Sequence, residues 1–255
     1  MAYKIILDAG HGGSDPGAAF NGRQEKDDAL ALAMAVGQLL ANAGFDVVYT
    51  RTTDIYNTPF EKAMIANNAG GDLLVSFHRN SSAVPNMYNG VQTLVYNDEG
   101  IKAELARNIN KNLAALGFED KGVVERPNLV ILKRTKMPAV LIEAGFINSD
   151  KDNELFDTRF NDIAQAIADA IIDTLNNRGI TSYDNQSYKI QTGAFRNRQL
   201  ANNMAAQLNA QRFPAVVITE DDLYKVQVGD FENLDNAAAM EQRLRSMGYN
   251  TFIRS

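Results

Sequence analysis

The sequence predicts an α/β domain with a twisted, mostly parallel sheet flanked by helices, followed by a small α+β domain. The first observation behind this prediction is that apolar strand-like runs alternate with helix-like runs along residues 1–177, which is typical of parallel sheets covered by helices. The second is an internal repeat, because YKIQTGAF at residues 188–195 recurs as YKVQVGDF at residues 224–231. The two parts of the chain therefore have different architectures.

The elements of the first domain follow from apolar runs and from the residues that end helices. Strands are predicted at five short apolar runs: YKIIL (3–7), FDVVYT (45–50), DLLVSF (72–77), GVQTLVY (90–96) and AVLIEAG (139–145). Helices are predicted over residues 25–43, from Pro59 to about Asn68, over about 99–116 and over 157–176. Gly44 and Gly117 follow two of these helices, as glycines at helix C-termini often do.

A polar segment without periodicity, residues 178–186, is predicted to link a first domain at 1–177 to a second at 187–255. Each copy of the repeat in the second domain consists of a strand, a helix and another strand. Two copies are needed, because a single copy could not bury its apolar face. The second domain is therefore predicted to have the element order βαββαβ.

Composition excludes several classes of function. The 255 residues are 45% hydrophobic and carry a formal net charge of −6, whereas nucleic-acid binding usually requires a basic surface. No run of 18 apolar residues occurs, so membrane insertion is not expected. Without cysteine, any metal must be held by His, Asp or Glu. The N-terminal residues show no signal peptide, so we expect synthesis in the cytoplasm and release by lysis or a non-classical route.

Both histidines of the chain lie where predicted strands end. His11 follows the first strand within the glycine-rich LDAGHGGSDPG at residues 7–17, and His78 follows the third strand. The carboxyl ends of parallel strands share one edge of a sheet, where ligands bind. The two imidazoles can therefore meet at this edge, and the glycines allow close approach to a bound group.

Two carboxylates complete the candidate site. Glu25 opens the first long helix, and Glu143 lies in the apolar strand AVLIEAG, where an unpaired carboxylate is costly. Two imidazoles and one carboxylate form a donor set that holds catalytic zinc, leaving one position for a water whose pKa falls to about 7. A second carboxylate can then accept the proton of that water.

Other interpretations of these motifs are weaker. The glycine-rich loop could cradle a phosphate group, but GHGGSDPG lacks both the Lys-Ser/Thr ending of a P-loop and the spacing of a dinucleotide-binding motif. Glu25 could instead stabilise a helix N-terminus through the helix dipole. The metal interpretation accounts for both histidines and both carboxylates together.

Four motifs, in this order, resemble the zinc-dependent N-acetylmuramoyl-L-alanine amidases, the family usually called Amidase_3: LDAGHGGSDPGA, QEK, SFHRN and VLIEAGFINSDKDNELF. The resemblance covers about residues 3–176. It implies one zinc ion per chain, held by His11, Glu25 and His78, and a catalytic glutamate at Glu143. Asn80 matches a recurrent family position and is expected to support the site. The family cleaves the amide bond between the lactyl group of N-acetylmuramic acid and L-alanine in peptidoglycan.

The repeated segment resembles a SPOR domain, a peptidoglycan-binding module with an RNP-like fold. Strand alternation puts four polar side chains on the sheet face away from the helices: Lys189, Gln191, Lys225 and Gln227. The resemblance implies that this face binds glycan strands stripped of stem peptides, although an ordinary solvated surface is the alternative. RNA binding is not expected, because the repeat strands lack aromatic residues on the open face.

The two resemblances predict a two-domain cell-wall hydrolase whose partner is peptidoglycan. Two alternatives stay open at this point: another zinc peptidoglycan amidohydrolase, such as a peptidase or deacetylase, and a catalytically silent wall-binding protein. Phage endolysins and bacterial autolysins are both compatible with the motifs, and the sequence does not indicate an oligomeric state.

Overall fold

A computed structural model of the chain describes residues 3–177, 188–211, 213–231 and 234–254. The chain divides into two compact units, residues 1–182 and residues 183–255. The predicted linker at residues 178–186 lies outside the described residues. Each unit is described separately below.

The first unit alternates strands and helices along the chain. Its elements are β1 (Lys4–Ala9), β2 (Ala19–Phe20), β3 (Arg23–Gln24), α1 (Glu25–Asn42), β4 (Asp46–Tyr49), α2 (Pro59–Ala69), β5 (Leu73–Asn80), β6 (Val91–Val95), α3 (Gly100–Ala114), β7 (Asp120–Glu125), α4 (Val130–Arg134), β8 (Ala139–Phe146), α5 (Asp150–Thr158) and α6 (Phe160–Asn176). Six of the strands form one sheet in the order β4-β1-β5-β8-β6-β7. All neighbouring pairs in it are parallel except β6 and β8, which confirms the predicted fold class.

Both faces of this sheet are buried. Helices α1, α3 and α6 cover one face, where Leu7 and Val75 belong to the larger apolar cluster. Helices α2 and α4 cover the other face over a smaller cluster that contains Ile6 and Leu141. Because side chains alternate along a strand, Asp8 and Glu143 lie on the α2 and α4 side of the sheet.

Local signals explain where the helices begin and end. Helix α2 starts at Pro59 behind a capping box formed by Thr58 and Glu61, and it ends at Gly70 in the left-handed conformation. The predicted helix over residues 157–176 is wrong at its N-terminal end, because α5 ends at Thr158 and α6 begins only after Arg159. The sequence analysis missed α5 because its residues are mostly polar.

The second unit has the predicted βαββαβ order. Its elements are β9 (Tyr188–Phe195), α7 (Arg198–Ala210), β10 (Ala215–Glu220), β11 (Leu223–Phe231), α8 (Leu234–Ser246) and β12 (Phe252–Arg254). The four strands form an antiparallel sheet in the order β10-β11-β9-β12. Its apolar core includes Ile190, Val226 and Leu208. Among the described residues of both units, no helix has the length and apolarity needed to span a membrane.

Candidate active site

Four elements bring the candidate residues to the carboxyl edge of the first sheet. His11 lies in the loop after β1, and Glu25 is the first residue of α1. His78 and Glu143 are direct partners in the parallel pair of β5 and β8. His78 lies within β5, which extends to Asn80 rather than ending at His78 as the sequence suggested. Pairing with β8 therefore continues through the polar residues and fixes the position of His78 next to Glu143.

Three donor atoms converge at this edge. His11 Nε2 lies 3.0 Å from Glu25 Oε1, and His78 Nδ1 lies 2.7 Å from the same oxygen. One potential ligand atom from each of these residues lies within 4.8 Å of the others. The two imidazole rings meet edge to face, with their centroids 4.9 Å apart. The structure thus brings together the three residues that the resemblance implies as metal ligands.

Close packing explains the glycines around His11. A methyl group at Gly10 would overlap three ring atoms of His78, and one at Gly17 would lie 2.6 Å from both Glu25 Oε2 and His11 Cδ2. His11 itself has φ 57°, in the left-handed region that residues with a Cβ rarely adopt. The loop backbone therefore approaches the site as closely as it can and holds His11 in a strained conformation.

Further groups orient the three donors. Asp15 Oδ2 lies 2.8 Å from His11 Nδ1, so the Nδ1–H donates to this carboxylate while Nε2 faces the other donors. Glu25 accepts backbone hydrogen bonds from Ala18 at Oε2 and from Arg79 at Oε1. Burial raises the pKa of the Glu25 carboxyl, but hydrogen bonds from both imidazoles outweigh this and hold the pKa well below its usual range. Glu25 is therefore an anion at neutral pH.

A buried cationic pair supports the His11 loop from below. The Lys62 ammonium donates to the backbone carbonyls of Ala9 and His11 and lies 3.4 Å from the Asp8 carboxylate. The Arg51 guanidinium donates to the carbonyls of Ala9 and Gly10. Lys62 and Arg51 are each only 3% exposed. Because buried charges are costly unless they are paired, we infer that these two cations are buried here to hold the backbone of the His11 loop in place.

Glu143 differs from Glu25 in having little to stabilise its charge. Its Oε2 atom is buried and has no hydrogen-bond partner among the described residues. Burial raises the pKa of Glu143 to about 7, and the nearby Glu25 carboxylate acts in the same direction. A carboxyl group with a pKa near neutrality is suited to accepting and returning a proton.

The three donors fit a zinc ion by their chemistry and spacing. Tetrahedral zinc with ligands at about 2.0–2.1 Å requires donor atoms roughly 3.3 Å apart. The Glu25 oxygen lies 3.0 and 2.7 Å from the two imidazole nitrogens, and one donor atom of each residue lies within 4.8 Å of the others, so small shifts of these side chains would admit the ion. Two neutral imidazoles and one anionic carboxylate are a typical donor set of catalytic zinc.

Asn80 lies at the end of β5, two residues after His78. Its side-chain oxygen accepts a hydrogen bond from the Ser81 backbone, and its backbone carbonyl accepts one from Ile147. Within the described parts of the chain, no hydrogen bond joins Asn80 to the three donors or to Glu143, and its supporting role stays a prediction. Asp15 and Lys62 do contact the His11 loop, and sequence analysis missed both. The four-residue spacing of Asp15 from His11 in a glycine-rich turn was the available signal for Asp15.

A cavity of about 260 Å³ adjoins the two histidines. It lies between the residues that precede α2 and those that precede α4, over the sheet face that carries Asp8 and Leu141. Asn57 and Asn128 are among the residues that line it. The candidate metal ligands His11 and His78 therefore border a cleft.

In the second unit, the four polar side chains predicted for the open face do lie together on the sheet face away from the apolar core. Gln191 is a direct partner of both Gln227 and Phe252. Gln191, Lys225 and Gln227 are each at most 7% exposed, because neighbouring side chains surround them. Phe252 is 52% exposed beside them, so this face carries an aromatic ring that the sequence analysis did not expect.

An ionic cluster also lies on this face. The Lys225 ammonium lies 2.7 Å from the Glu220 carboxylate and 2.8 Å from that of Asp221. Arg254 pairs with Glu220 and also donates to Gln191 Oε1, at 3.2 Å. Lys189 lies 3.7 Å from Asp230. Three of the predicted binding residues, Lys189, Gln191 and Lys225, therefore already have partners in the protein, and a ligand would have to compete with these contacts or add to them.

Comparison with known proteins identifies the family. Residues 5–173 match the family model of N-acetylmuramoyl-L-alanine amidases. The chain belongs to the N-acetylmuramoyl-L-alanine amidase family. A second match covers residues 184–255 and is to the SPOR domain. The amidase match includes both histidines, Glu25 and Glu143.

Individual relatives are similar over most of this chain. The sporulation-specific N-acetylmuramoyl-L-alanine amidase of Bacillus subtilis (strain 168) is 34% identical over 224 residues, which cover 86% of this chain and 85% of that protein. The endolysin of Bacillus phage SPP1 is 34% identical over 183 residues, covering 69% of this chain and 67% of the endolysin.

A solved structure supports the same assignment. The N-acetylmuramoyl-L-alanine amidase from Clostridium difficile 630 is similar with a TM-score of 0.65 at 31% identity, covering 70% of this chain and 99% of that one. The predicted peptidoglycan amidase with a glycan-binding SPOR domain is confirmed.

Proposed function

We propose that this amidase holds one zinc ion with His11, Glu25 and His78, and that Glu143 carries the proton during hydrolysis. The single observation that carries this proposal is the convergence of three donor atoms within 4.8 Å beside a buried carboxylate oxygen without a partner. The bond cleaved is the amide between the lactyl carbonyl of N-acetylmuramic acid and the nitrogen of L-alanine.

Each residue then has a distinct role. A zinc ion held by His11, Glu25 and His78 would supply a Lewis acid for the lactyl carbonyl and for the attacking water. Glu143 accepts a proton from the attacking water at Oε2 and donates it to the nitrogen of L-alanine as the C–N bond breaks. Asp15 keeps the proton of His11 on Nδ1, and Lys62 holds the backbone of the His11 loop. The products are a free lactyl carboxylate and a new L-alanine amino terminus.

The outer sheet face of the SPOR domain is proposed as the glycan-binding surface. Lys189, Gln191, Lys225 and Gln227 share this face, and Phe252 exposes an aromatic ring beside Gln191. Amide and ammonium groups can hydrogen-bond sugar hydroxyls, while an aromatic ring offers an apolar surface to a sugar ring. We further propose that the protein reaches the wall after lysis, because its relatives include an endolysin and a sporulation-specific amidase.

Product analysis on purified peptidoglycan tests this function. Zinc-loaded protein is expected to release new L-alanine amino termini without new reducing ends, and Glu143→Gln protein is expected to retain zinc and release none. New amino termini from other residues would indicate a peptidase, and loss of acetate would indicate a deacetylase. The absence of any product from zinc-loaded wild-type protein would leave only wall binding.

A further inference from the structure

We infer that Arg79 is a positioning residue for the proposed zinc site, because its buried guanidinium joins the helix that begins with Glu25 to the strand that carries Glu143. This inference rests on the proposed function, since it takes Glu25 to be a zinc ligand and Glu143 to carry the proton. The observation behind it is that the hydrogen bonds of this one side chain reach α1, the end of β8 and α5.

Arg79 is a buried cation on the sheet face opposite to His78. It lies two residues after Phe77 in β5, and because side chains alternate along a strand, it points to the face covered by α1, α3 and α6. Its side chain is only 1% exposed. Burial lowers the pKa of Arg79 to about 10, so the group stays charged at neutral pH. A buried cation is costly unless it is paired and hydrogen-bonded, so its partners indicate its role.

The partners of this guanidinium lie on three different elements. Nη1 donates to Asp28 Oδ2 on α1, at 2.6 Å, and Nη2 donates to Asn153 Oδ1 on α5, at 2.8 Å. Nε donates to the carbonyl of Gly145 at 3.3 Å, and Nη2 donates to that of Phe146 at 3.4 Å, both near the end of β8. One side chain in β5 therefore connects α1, α5 and β8.

On α1, Arg79 contacts the turn that presents the carboxylate of Glu25. Asp28 lies three residues after Glu25, so the two side chains are neighbours on the helix surface. The backbone N–H of Arg79 donates to Glu25 Oε1 at 3.2 Å, while its side chain holds Asp28. Gln24, which precedes the helix, provides no side-chain cap. Contacts from outside the helix therefore hold its first turn, and Arg79 contacts that turn at two points.

On β8, the guanidinium contacts a stretch in which the pairing with β5 is irregular. His78 pairs with Glu143, but two residues later in β5 the partner is Phe146, so β8 has one residue more in this interval. Such a bulge interrupts the hydrogen bonds between strands, and bulges are frequent next to active sites. The hydrogen bonds to the carbonyls of Gly145 and Phe146 therefore fix the backbone that directly follows Glu143.

A lysine could not replace these contacts. A guanidinium presents its N–H groups in a rigid planar fork and stacks on aromatic rings, whereas an ammonium is a compact point charge. The guanidinium carbon of Arg79 lies 4.1 Å from the centre of the buried Phe156 ring on α5. Arg79→Lys therefore keeps the charge but removes the simultaneous contacts with three elements.

Arg23 offers a matched comparison, because it binds the same carboxylate without contacting β8. It donates to Asp28 at 2.7 Å, and its other partner is Asp157 on α5, at 2.8 and 3.1 Å. Among the residues that the structure describes, no hydrogen bond joins the Arg23 side chain to β8. Arg23 thus joins α1 to α5 only.

The test compares the full-length wild type with Arg79→Lys. Zinc affinity is measured by competition with a chromophoric chelator at neutral pH, and Tm is measured on the metal-free proteins. The visible absorption of the cobalt(II)-loaded proteins reports the geometry of the metal ligands, which a loss of stability alone does not change. The controls are Arg23→Lys and Ile171→Val; the latter lowers stability from within the apolar core, on α6 and away from the site.

Arg79→Lys is expected to bind zinc about 10- to 30-fold more weakly and to alter the cobalt spectrum, because groups that orient metal ligands typically contribute about 10- to 100-fold in affinity. Asp28→Asn is expected to act in the same direction. The double variant is expected to lose less than the product of the two single losses, since the two residues share one contact. Both controls are expected to keep the wild-type affinity and spectrum, Ile171→Val despite a lower Tm.

Unchanged zinc affinity and an unchanged cobalt spectrum in Arg79→Lys would overturn the inference, as would an equal loss of affinity in either control. If Arg79→Lys does not fold, Asp28→Asn decides the outcome by the same criteria. Wild type that binds zinc without releasing L-alanine amino termini would instead overturn the proposed function, and the affinity comparison would still decide the role of Arg79.

Discussion

Replacement of Asp15 by asparagine tests how much the site depends on orientation of its ligands. The Asp15 carboxylate accepts the Nδ1–H of His11 at 2.8 Å, which leaves His11 Nε2 available to a cation. Groups that orient metal-ligating histidines typically contribute about 10- to 100-fold in metal affinity. Because the Asp15 side chain is 44% exposed, water weakens the contact, and we expect a loss near the lower end, about 10- to 30-fold.

The assay is competition for zinc between the full-length protein and a chromophoric chelator at pH 7.5. Asp27→Asn is the matched control, because Asp27 is an exposed carboxylate in the first turn of the helix that begins with Glu25. The control is expected to bind zinc as wild type does. Unchanged zinc affinity in Asp15→Asn would refute the argument that this carboxylate keeps the proton of the His11 ring on Nδ1.

Three further predictions concern Lys62, Glu143 and the SPOR domain. Lys62→Met is expected to weaken zinc binding in the chelator assay, because the His11 carbonyl loses its hydrogen-bond donor. The secondary structure measured by circular dichroism is expected to stay intact. Unchanged zinc affinity would contradict this prediction. In metal-free protein, Glu143→Gln is expected to raise Tm more at pH 8 than at pH 4. Burial raises the pKa of the wild-type carboxyl from 4.5 to about 7, so this group destabilises the folded state increasingly as pH rises through this interval. A gain in Tm that does not depend on pH would contradict this prediction. The isolated SPOR segment, residues 183–255, is expected to sediment more strongly with sacculi from which the stem peptides have been removed. Joint replacement of Gln191 and Gln227 by alanine is expected to weaken this sedimentation. No binding to either kind of sacculus would indicate another role for the segment.

The convergence of the proposed metal ligands could be predicted from the sequence because their placement follows from regular structure. His11 and His78 come from neighbouring parallel strands, whose carboxyl ends must share an edge. Glu143 was recognisable because a carboxylate in the apolar run AVLIEAG has no ordinary structural explanation. Strand pairing places Glu143 next to His78, so regular hydrogen bonding alone accounts for that contact.

The supporting residues could not be predicted in the same way. The contact of Asp15 with His11 depends on the irregular turn between them, in which His11 adopts a positive φ. Lys62 lies in α2, where a lysine is ordinarily an exposed surface residue; only the packing of α2 over β1 buries its ammonium beneath the His11 loop. Such contacts depend on tertiary packing and irregular backbone, for which sequence periodicity gives no signal.

In the second unit, too, the sequence predicts regular alternation along strands but not the pairing of distant strands. Alternation along β9 and β11 correctly predicts the face on which the polar side chains lie. It does not predict that β12 pairs with β9 and brings Phe252 beside Gln191, because pairing at a sheet edge depends on the fold of the whole repeat. The absence of an aromatic ring on this face was therefore a wrong expectation.

The buried charges beneath the His11 loop indicate that much of the proposed zinc site is held in place by the protein itself. Lys62 and Arg51 are costly to bury, yet both direct their donors at carbonyls of the loop that carries His11. These hydrogen bonds act on the backbone and need no metal ion, so they can hold the left-handed conformation of His11 in the metal-free protein. The domain also buries extensive apolar clusters on both sheet faces, unlike small zinc domains whose folding depends on the metal. Zinc binding should therefore require only local adjustment of three side chains, and the stability of the fold provides the free energy that keeps a strained ligand in place.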